Sequence, residues 1–200
     1  AVQPHAVYTC SPDLLGRCGE LAAQYDARLI IHLAETRQEV ADCQQRYGAT
    51  PVAHLQALGL LSPRLLADHG VVLSPADREL LAAQGVSVAH CPESNMKLAS
   101  GVAPVVELLA AGVTVALGTD GCASNNNLDM FQEMDTAAKL HKVHHLDPTV
   151  LPAATVLGLA TRGGARALNL QDRVGTLEPG KQADLITINC DQPHLVPLYN

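Results

Sequence analysis

Four short aliphatic runs in this chain each pass straight into a histidine or an aspartate. Leu29-Ile30-Ile31 leads into His32, Leu65-Leu66-Ala67 into Asp68-His69, Val86-Ser87-Val88-Ala89 into His90, and Val113 to Gly118 into Thr119-Asp120. Short runs that are apolar along their length are the pattern of strands covered on both faces. Strands are therefore expected over Arg28 to Ile31, Arg64 to Ala67, Val86 to Ala89 and Val113 to Leu117. Segments with helix signals separate them, which makes the chain a series of βα units.

Those helices announce themselves by their caps. In Ser11-Pro12-Asp13 and Ser74-Pro75-Ala76-Asp77 a serine can cap, a proline takes the first helical position, and an aspartate meets the positive helix end. Gly85 and Gly112 stand where helices close before the next strand. Further helices are expected over Leu128 to Lys142, Thr149 to Leu159 and Arg162 to Leu168, with Pro148 and Pro152 blurring the boundaries. Aromatic residues make up only 2% of the chain, with no Trp and Phe131 the single Phe, so Ala, Val, Leu and Ile must build the core.

Parallel strands place all their C-terminal ends on one face, and in a (β/α)8 barrel that face carries the active site. A doubly wound sheet would align the ends as well, but it usually carries a glycine-rich phosphate turn, and no G-x-G-x-x-G or Walker pattern is present. Five strand positions are counted if one precedes His5, whereas a whole barrel needs eight and about 250 residues. The expected fold is α/β, a partial TIM-like barrel of about strands four to eight over residues 1–170. Ala1-Val2-Gln3-Pro4-His5 reads as a strand cut into, with no initiator Met, as in a C-terminal portion of a longer enzyme. In Val174 to Ile188 strand-like segments flank a Pro179-Gly180 turn, so residues 171–200 are expected to return to a small β-sandwich.

Composition narrows the partners. The 200 residues are 48% hydrophobic and 16% charged, the balance of a soluble globular chain. A net charge of -7 and a pI near 5.6 offer no footprint for a polyanion. No stretch approaches the roughly 18 to 20 apolar residues of a membrane helix, and the first residues lack the regions of a signal peptide. Six scattered cysteines without a C-x-x-C pair fit a reducing cytoplasm. A small molecule, not a nucleic acid or a membrane, is the expected partner, and open strand edges would favour a homo-oligomer.

Histidine and aspartate at strand ends suggest a metal site, since imidazole and carboxylate are the usual ligands of catalytic zinc. His32 and Asp120 are the natural ligands. Alone, His32 could equally be a hydrogen-bonded structural histidine, and Asp120 a helix N-cap. Glu35, three residues after His32, can return over the metal for proton chemistry, or can be a carboxylate at a helix N-terminus. His69 can orient the attacking hydroxide or be a surface histidine. His90 and His5 read as pocket-lining. His54, His141, His144, His145 and His194 read as solvated, and Cys91 and Cys122 as small buried residues.

Several stretches together resemble the amidohydrolase superfamily, in the branch that contains methylthioadenosine and S-adenosylhomocysteine deaminases and the triazine hydrolases. They are Pro4 to Pro12 (PHAVYTCSP), His32-Leu33-Ala34-Glu35-Thr36, His90 to Leu98 (HCPESNMKL), Leu117 to Asn126 (LGTDGCASNN) and Gly175 to Leu185. The resemblance implies that His32 is the zinc ligand of strand five and that Asp120 is the strand-eight carboxylate, binding zinc and taking a proton from water. It implies that Glu35 passes a proton to the ring nitrogen of the heterocycle, that His69 contacts the hydroxide, and that His5 contacts the sugar of a nucleoside. The implied cofactor is one divalent metal per complete site, Zn2+, with Fe2+ as the alternative.

Val7 stands where the family usually has Pro, and Asp68-His69-Gly70 where Ala-His-Cys is more common. The family's first two ligands form a His-x-His, and no H-x-H occurs here. The leading expectation is a metal-dependent aminohydrolase that deaminates a purine nucleoside of the S-adenosylhomocysteine or methylthioadenosine type. The alternatives are a triazine-type hydrolase acting on another ring substituent, a guanine- or cytosine-type deaminase, and a binding scaffold or inert fragment without catalysis.

Overall fold

The computed structural model describes residues 1–197, except the side chain of His194, so the expectation for that histidine lies outside the described residues. Four strands form one sheet: β1 (Leu29–Leu33), β2 (Leu65–His69), β3 (Ser87–His90) and β4 (Thr114–Leu117). Their order is sequential, and all three pairings are parallel. The opening residues extend the row, because Val2 and Ala6 bridge in parallel to Leu29 and His32 on the free side of β1. Five consecutive chain segments thus lie side by side, an arc of (β/α)8 barrel wall.

The strands are joined through helices α1 (Pro12–Gln24), α2 (Arg37–Tyr47), α3 (Pro51–Ala57), α4 (Pro75–Ala83), α5 (Pro92–Lys97) and α6 (Val105–Ala110). Ser11 caps α1, and Ser74 with Asp77 forms a reciprocal capping box on α4. After β4 come α7 (Cys122–Asn125), α8 (Met130–His145), α9 (Ala153–Gly158) and α10 (Gly164–Ala167). Pro152 takes the N-cap of α9, so that helix starts later than its apolar pattern implies. A π-helical turn, Leu159–Gly163, joins α9 to α10.

Strand alternation divides the sheet into two faces. Ile31, Leu33, Leu65, Ala67, Val88, Val115 and Leu117 enter the main core with Leu15, Leu55, Leu81 and Leu108 from the outer helices. The opposite face carries Ile30, Leu66, Ala89 and Ala116, packed against Ala167 of α10. His32 and Asp68 are register partners, two residues beyond Ile30 and Leu66, and so continue that inner face.

Two expectations are corrected, for the histidines His54 and His141 and for Cys122. No strand forms between Val174 and Ile188 among the described residues, although the Pro179-Gly180 turn is present. A strand is defined by its ladder partner, and here Leu185, Ile186 and Ile188 are exposed without one. His54 and His141 are buried instead of solvated: His54 stacks on Tyr47, and His141 shares the inner face of α8 with Glu133 and Ala137 at four-residue spacing. Cys122 is exposed, whereas Cys91 is buried as expected. No helix among the described residues is long and apolar enough to cross a membrane.

Candidate active site

The C-terminal edge of the sheet brings three expected residues to one point. Ligand atoms of His32, His69 and Asp120 all lie within 4.8 Å of one another, and His69 Nε2 is 3.1 Å from His32 Nδ1. Local backbone turns make this possible. Ala34, His69 and Asp120 have φ of +51°, +72° and +59°, a left-handed conformation that non-glycine residues adopt at a cost of about 1–3 kcal/mol. The turn at His69 removes it from the alternation of β2, so both Asp68 and His69 reach the site.

Each member is held by neighbours. His69 Nδ1 is 2.9 Å from Asn95 Oδ1; a carbonyl oxygen only accepts, so the proton sits on Nδ1 and the Nε2 lone pair faces the site. Asp120 Oδ2 accepts from Ser94 Oγ at 2.7 Å and from Ser124 Oγ. Burial pushes the Asp120 carboxyl up, but the hydroxyl bonds of Ser124 and Ser94 outweigh it and hold the group below the usual carboxylate range. Burial, then the neighbouring His69, lowers His32, against the opposing pull of Asp120 and Glu35.

Glu35 stands at the rim. Its Oε1 accepts from Ser100 Oγ at 2.9 Å, and its Oε2 lies 3.9 Å from His69 Nε2. His5 is exposed, with its ring 5.1 Å from that of His32. His90 is placed differently. It is completely buried, with Nε2 3.2 Å from His141 Nε2 on α8, and burial together with His141 pushes it down to about 3. A side chain with no exposed surface presents nothing to a ligand, so the expectation of His90 as a lining residue does not match its position.

Asp68 escaped the sequence reading as a site residue. Its Oδ2 is 3.5 Å from His32 Nδ1, and burial, reinforced by Asp120 against the opposing effect of His69, raises its carboxyl to about 7. Strand parity was the available signal, because Asp68 follows Leu66 by two. Ser94 and Asn95, both fully buried, are the other missed contributors, and no signal short of the fold pairs them with residues 26 positions away.

The donor set suits a divalent cation. His32 and Asp120 offer the imidazole and carboxylate donors that hold zinc, and His69 Nε2, 3.1 Å from His32 Nδ1, stands beside them. An ionised carboxylate completes the cluster with one oxygen, Oδ2, already engaged by two hydroxyls and the other left for a ligand.

The Amidohydrolase family profile matches residues 1–198. The 5-methylthioadenosine/S-adenosylhomocysteine deaminase of Syntrophobacter fumaroxidans is 62% identical over 200 residues, which is 100% of this chain and 46% of that protein. Among solved structures, a zinc-bound adenosine deaminase from Xanthomonas campestris superposes with a TM-score of 0.96 at 50% identity, over 99% of this chain and 45% of its own. A zinc complex of atrazine chlorohydrolase from Arthrobacter aurescens TC1 gives 0.93 at 33% identity, over 100% and 44%. The chain thus spans less than half the length of the relatives it matches.

Proposed function

The chain belongs to the amidohydrolase family, and from that membership we propose that it carries the proton-handling half of an aminohydrolase site acting on an adenine nucleoside of the methylthioadenosine or S-adenosylhomocysteine type. The observation that carries this reading is the convergence of His32, His69 and Asp120, with Glu35 3.9 Å from His69 Nε2. His32 and Asp120 would hold a divalent ion, zinc first and ferrous iron second, with further ligands from segments beyond these residues. Such an ion lowers the pKa of water toward about 7, supplying a nucleophile at neutral pH.

Asp120 accepts the proton of the attacking water. His69, its tautomer fixed by Asn95, holds the water in line with the ring carbon. Glu35 delivers a proton to the adjacent ring nitrogen, so that the carbon accepts the water oxygen. Asp120 then passes the proton it took from water to the exocyclic amine, the carbon–nitrogen bond breaks and ammonia leaves, while the hydroxyl proton of the adduct returns to Glu35 as the ring carbonyl forms. His5, exposed beside His32, would meet the sugar. Six scattered cysteines without a C-x-x-C pair favour a reducing cytoplasm as its setting.

A second reading, hydrolysis of another ring substituent, is favoured by the likeness to the atrazine chlorohydrolase. The discriminating experiment uses the zinc-loaded full-length protein. Ammonia released from methylthioadenosine and S-adenosylhomocysteine is the expected result. Chloride released from a chlorotriazine without deamination would favour the second reading, and neither activity would overturn both.

A further inference from the structure

Glu39, on the first turn of α2, makes contacts that cap geometry alone does not call for. Thr36 is the N-cap of this helix, and its Oγ1 accepts from the Glu39 N–H at 3.1 Å. In a capping box the carboxylate three residues on would return to the N–H of the N-cap itself. The Glu39 carboxylate has the Thr36 N–H beside it and also reaches past it. Its Oε1 accepts from Ala34 N–H at 2.9 Å, and its Oε2 accepts from Glu35 N–H at 2.7 Å. Glu39 is only 4% exposed, and Ala34 1%, so these bonds are shielded from water.

Those two amides belong to the turn that reverses the chain as it leaves β1. Ala34 has φ +51°, and its carbonyl is engaged by Val72 N–H at 2.8 Å. Without an acceptor from Glu39, the buried Ala34 N–H would be orphaned at a backbone conformation already disfavoured for alanine. Glu35 is therefore fixed at both ends: its amide by Glu39, and its carboxylate by Ser100.

We infer that Glu39 is a positioning residue for proton transfer, setting the turn after β1 so that Glu35 meets the heterocycle. The inference rests on the proposed proton-transfer role of Glu35. The requirement is specific to a carboxylate, because two convergent N–H donors need two acceptor oxygens. A glutamine supplies one oxygen and turns an NH2 group against the second amide.

The test is a double-mutant cycle on Glu35→Gln and Glu39→Gln in the zinc-loaded full-length protein, followed by ammonia release. Glu39→Gln is expected to lower kcat about 10- to 100-fold, as displacement of a catalytic group by about 1 Å does, with KM and zinc content little changed. In the Glu35→Gln background the same change should have almost no further effect, because the group it positions is already disabled. Losses that multiply would overturn the inference, since a merely structural role acts whether or not Glu35 is intact. Wild-type kcat in Glu39→Gln would overturn it as well. If Glu35→Gln keeps full turnover, the role of Glu35 falls first, and the positioning role with it. Amide hydrogen exchange in the wild-type protein gives a readout independent of turnover and of how well a variant folds. Ala34 and Glu35 should be protected to the level of β1, and rapid exchange at both would overturn the inference.

Discussion

His69 on β2 and Asn95 on α5 are joined through Nδ1 and Oδ1 at 2.9 Å, so a residue at one strand end has its tautomer set by a helix following another strand. Removing the acceptor in Asn95→Leu should cost about 10- to 100-fold in kcat/KM or metal affinity, the usual effect of losing an orienting partner of a site histidine. Asn95→Asp keeps an acceptor for Nδ1–H and should retain more activity than Asn95→Leu. Steady-state kinetics and zinc titration of both variants in the full-length protein check this, and equal losses would refute the orienting role.

Asp120 combines a ligand oxygen and a proton acceptor in one side chain. Asp120→Asn keeps the shape and can still meet Ser94 and Ser124, but it loses the charge and the basicity. Turnover of the full-length protein should fall by about three or more orders of magnitude. Near wild-type kcat in a sample with full zinc content would remove Asp120 from the proton path.

The sheet and much of the site were legible because parallel strands write themselves as short apolar runs with a polar residue at the end. His32, His69 and Asp120 stand at three such ends. The direction of a side chain at a strand end was not legible in the same way. His90 continues the outward series of Val88 and meets α8, while a left-handed φ turns His69 inward against its own alternation. Asp68 obeys the alternation, but the adjacent His69 carries the stronger chemical signal at the same strand end. The supports Glu39, Asn95 and Ser94 act on backbone amides or on residues far away in the chain, so even where a motif such as HCPESNMKL contains them, nothing in their local sequence names their partners. The missing ladder between Val174 and Ile188 has the same origin: strand propensity sits in the segment, but pairing belongs to a partner.

The buried pair His90 and His141 predicts acid sensitivity. Burial pushes His90 down to about 3 and His141 to about 4, and the other groups that act on His141 are His145 and His144, which lower it, and Glu107, which raises it. Both imidazoles are neutral when folded and take up protons near 6.5 when unfolded. The folded state thus binds fewer protons over this window. The stability they contribute is complete above about pH 6.5 and is lost progressively as the pH falls toward about 4. Glu133, raised to about 7 mainly by burial, works in the opposite direction, favouring the fold as the pH falls from 7. Replacing His141 by leucine removes one destabilising proton uptake, so the drop in Tm between pH 7 and pH 5 should be smaller than in the wild type. An unchanged drop would show that the pair does not control acid stability.

Gly163 predicts a contrast with its neighbour. It lies in the π-helical turn, packed so closely on β4 that an added Cβ would stand 2.3 Å from the backbone oxygen of Val115. No side-chain rotation relieves that contact, since the obstacle is main chain. Gly163→Ala must push the turn away from the strand and should destabilise by about 1–3 kcal/mol, as overpacking of a core does. Gly164 is equally helical, but a Cβ there would meet nothing within 4 Å. Gly164→Ala should be neutral or stabilising by up to about 1 kcal/mol, because alanine restricts the unfolded chain and favours the helix. Urea unfolding of the two variants measures both signs in one experiment. If Gly163→Ala matched Gly164→Ala in its midpoint, close approach to Val115 would not be what requires glycine at this position.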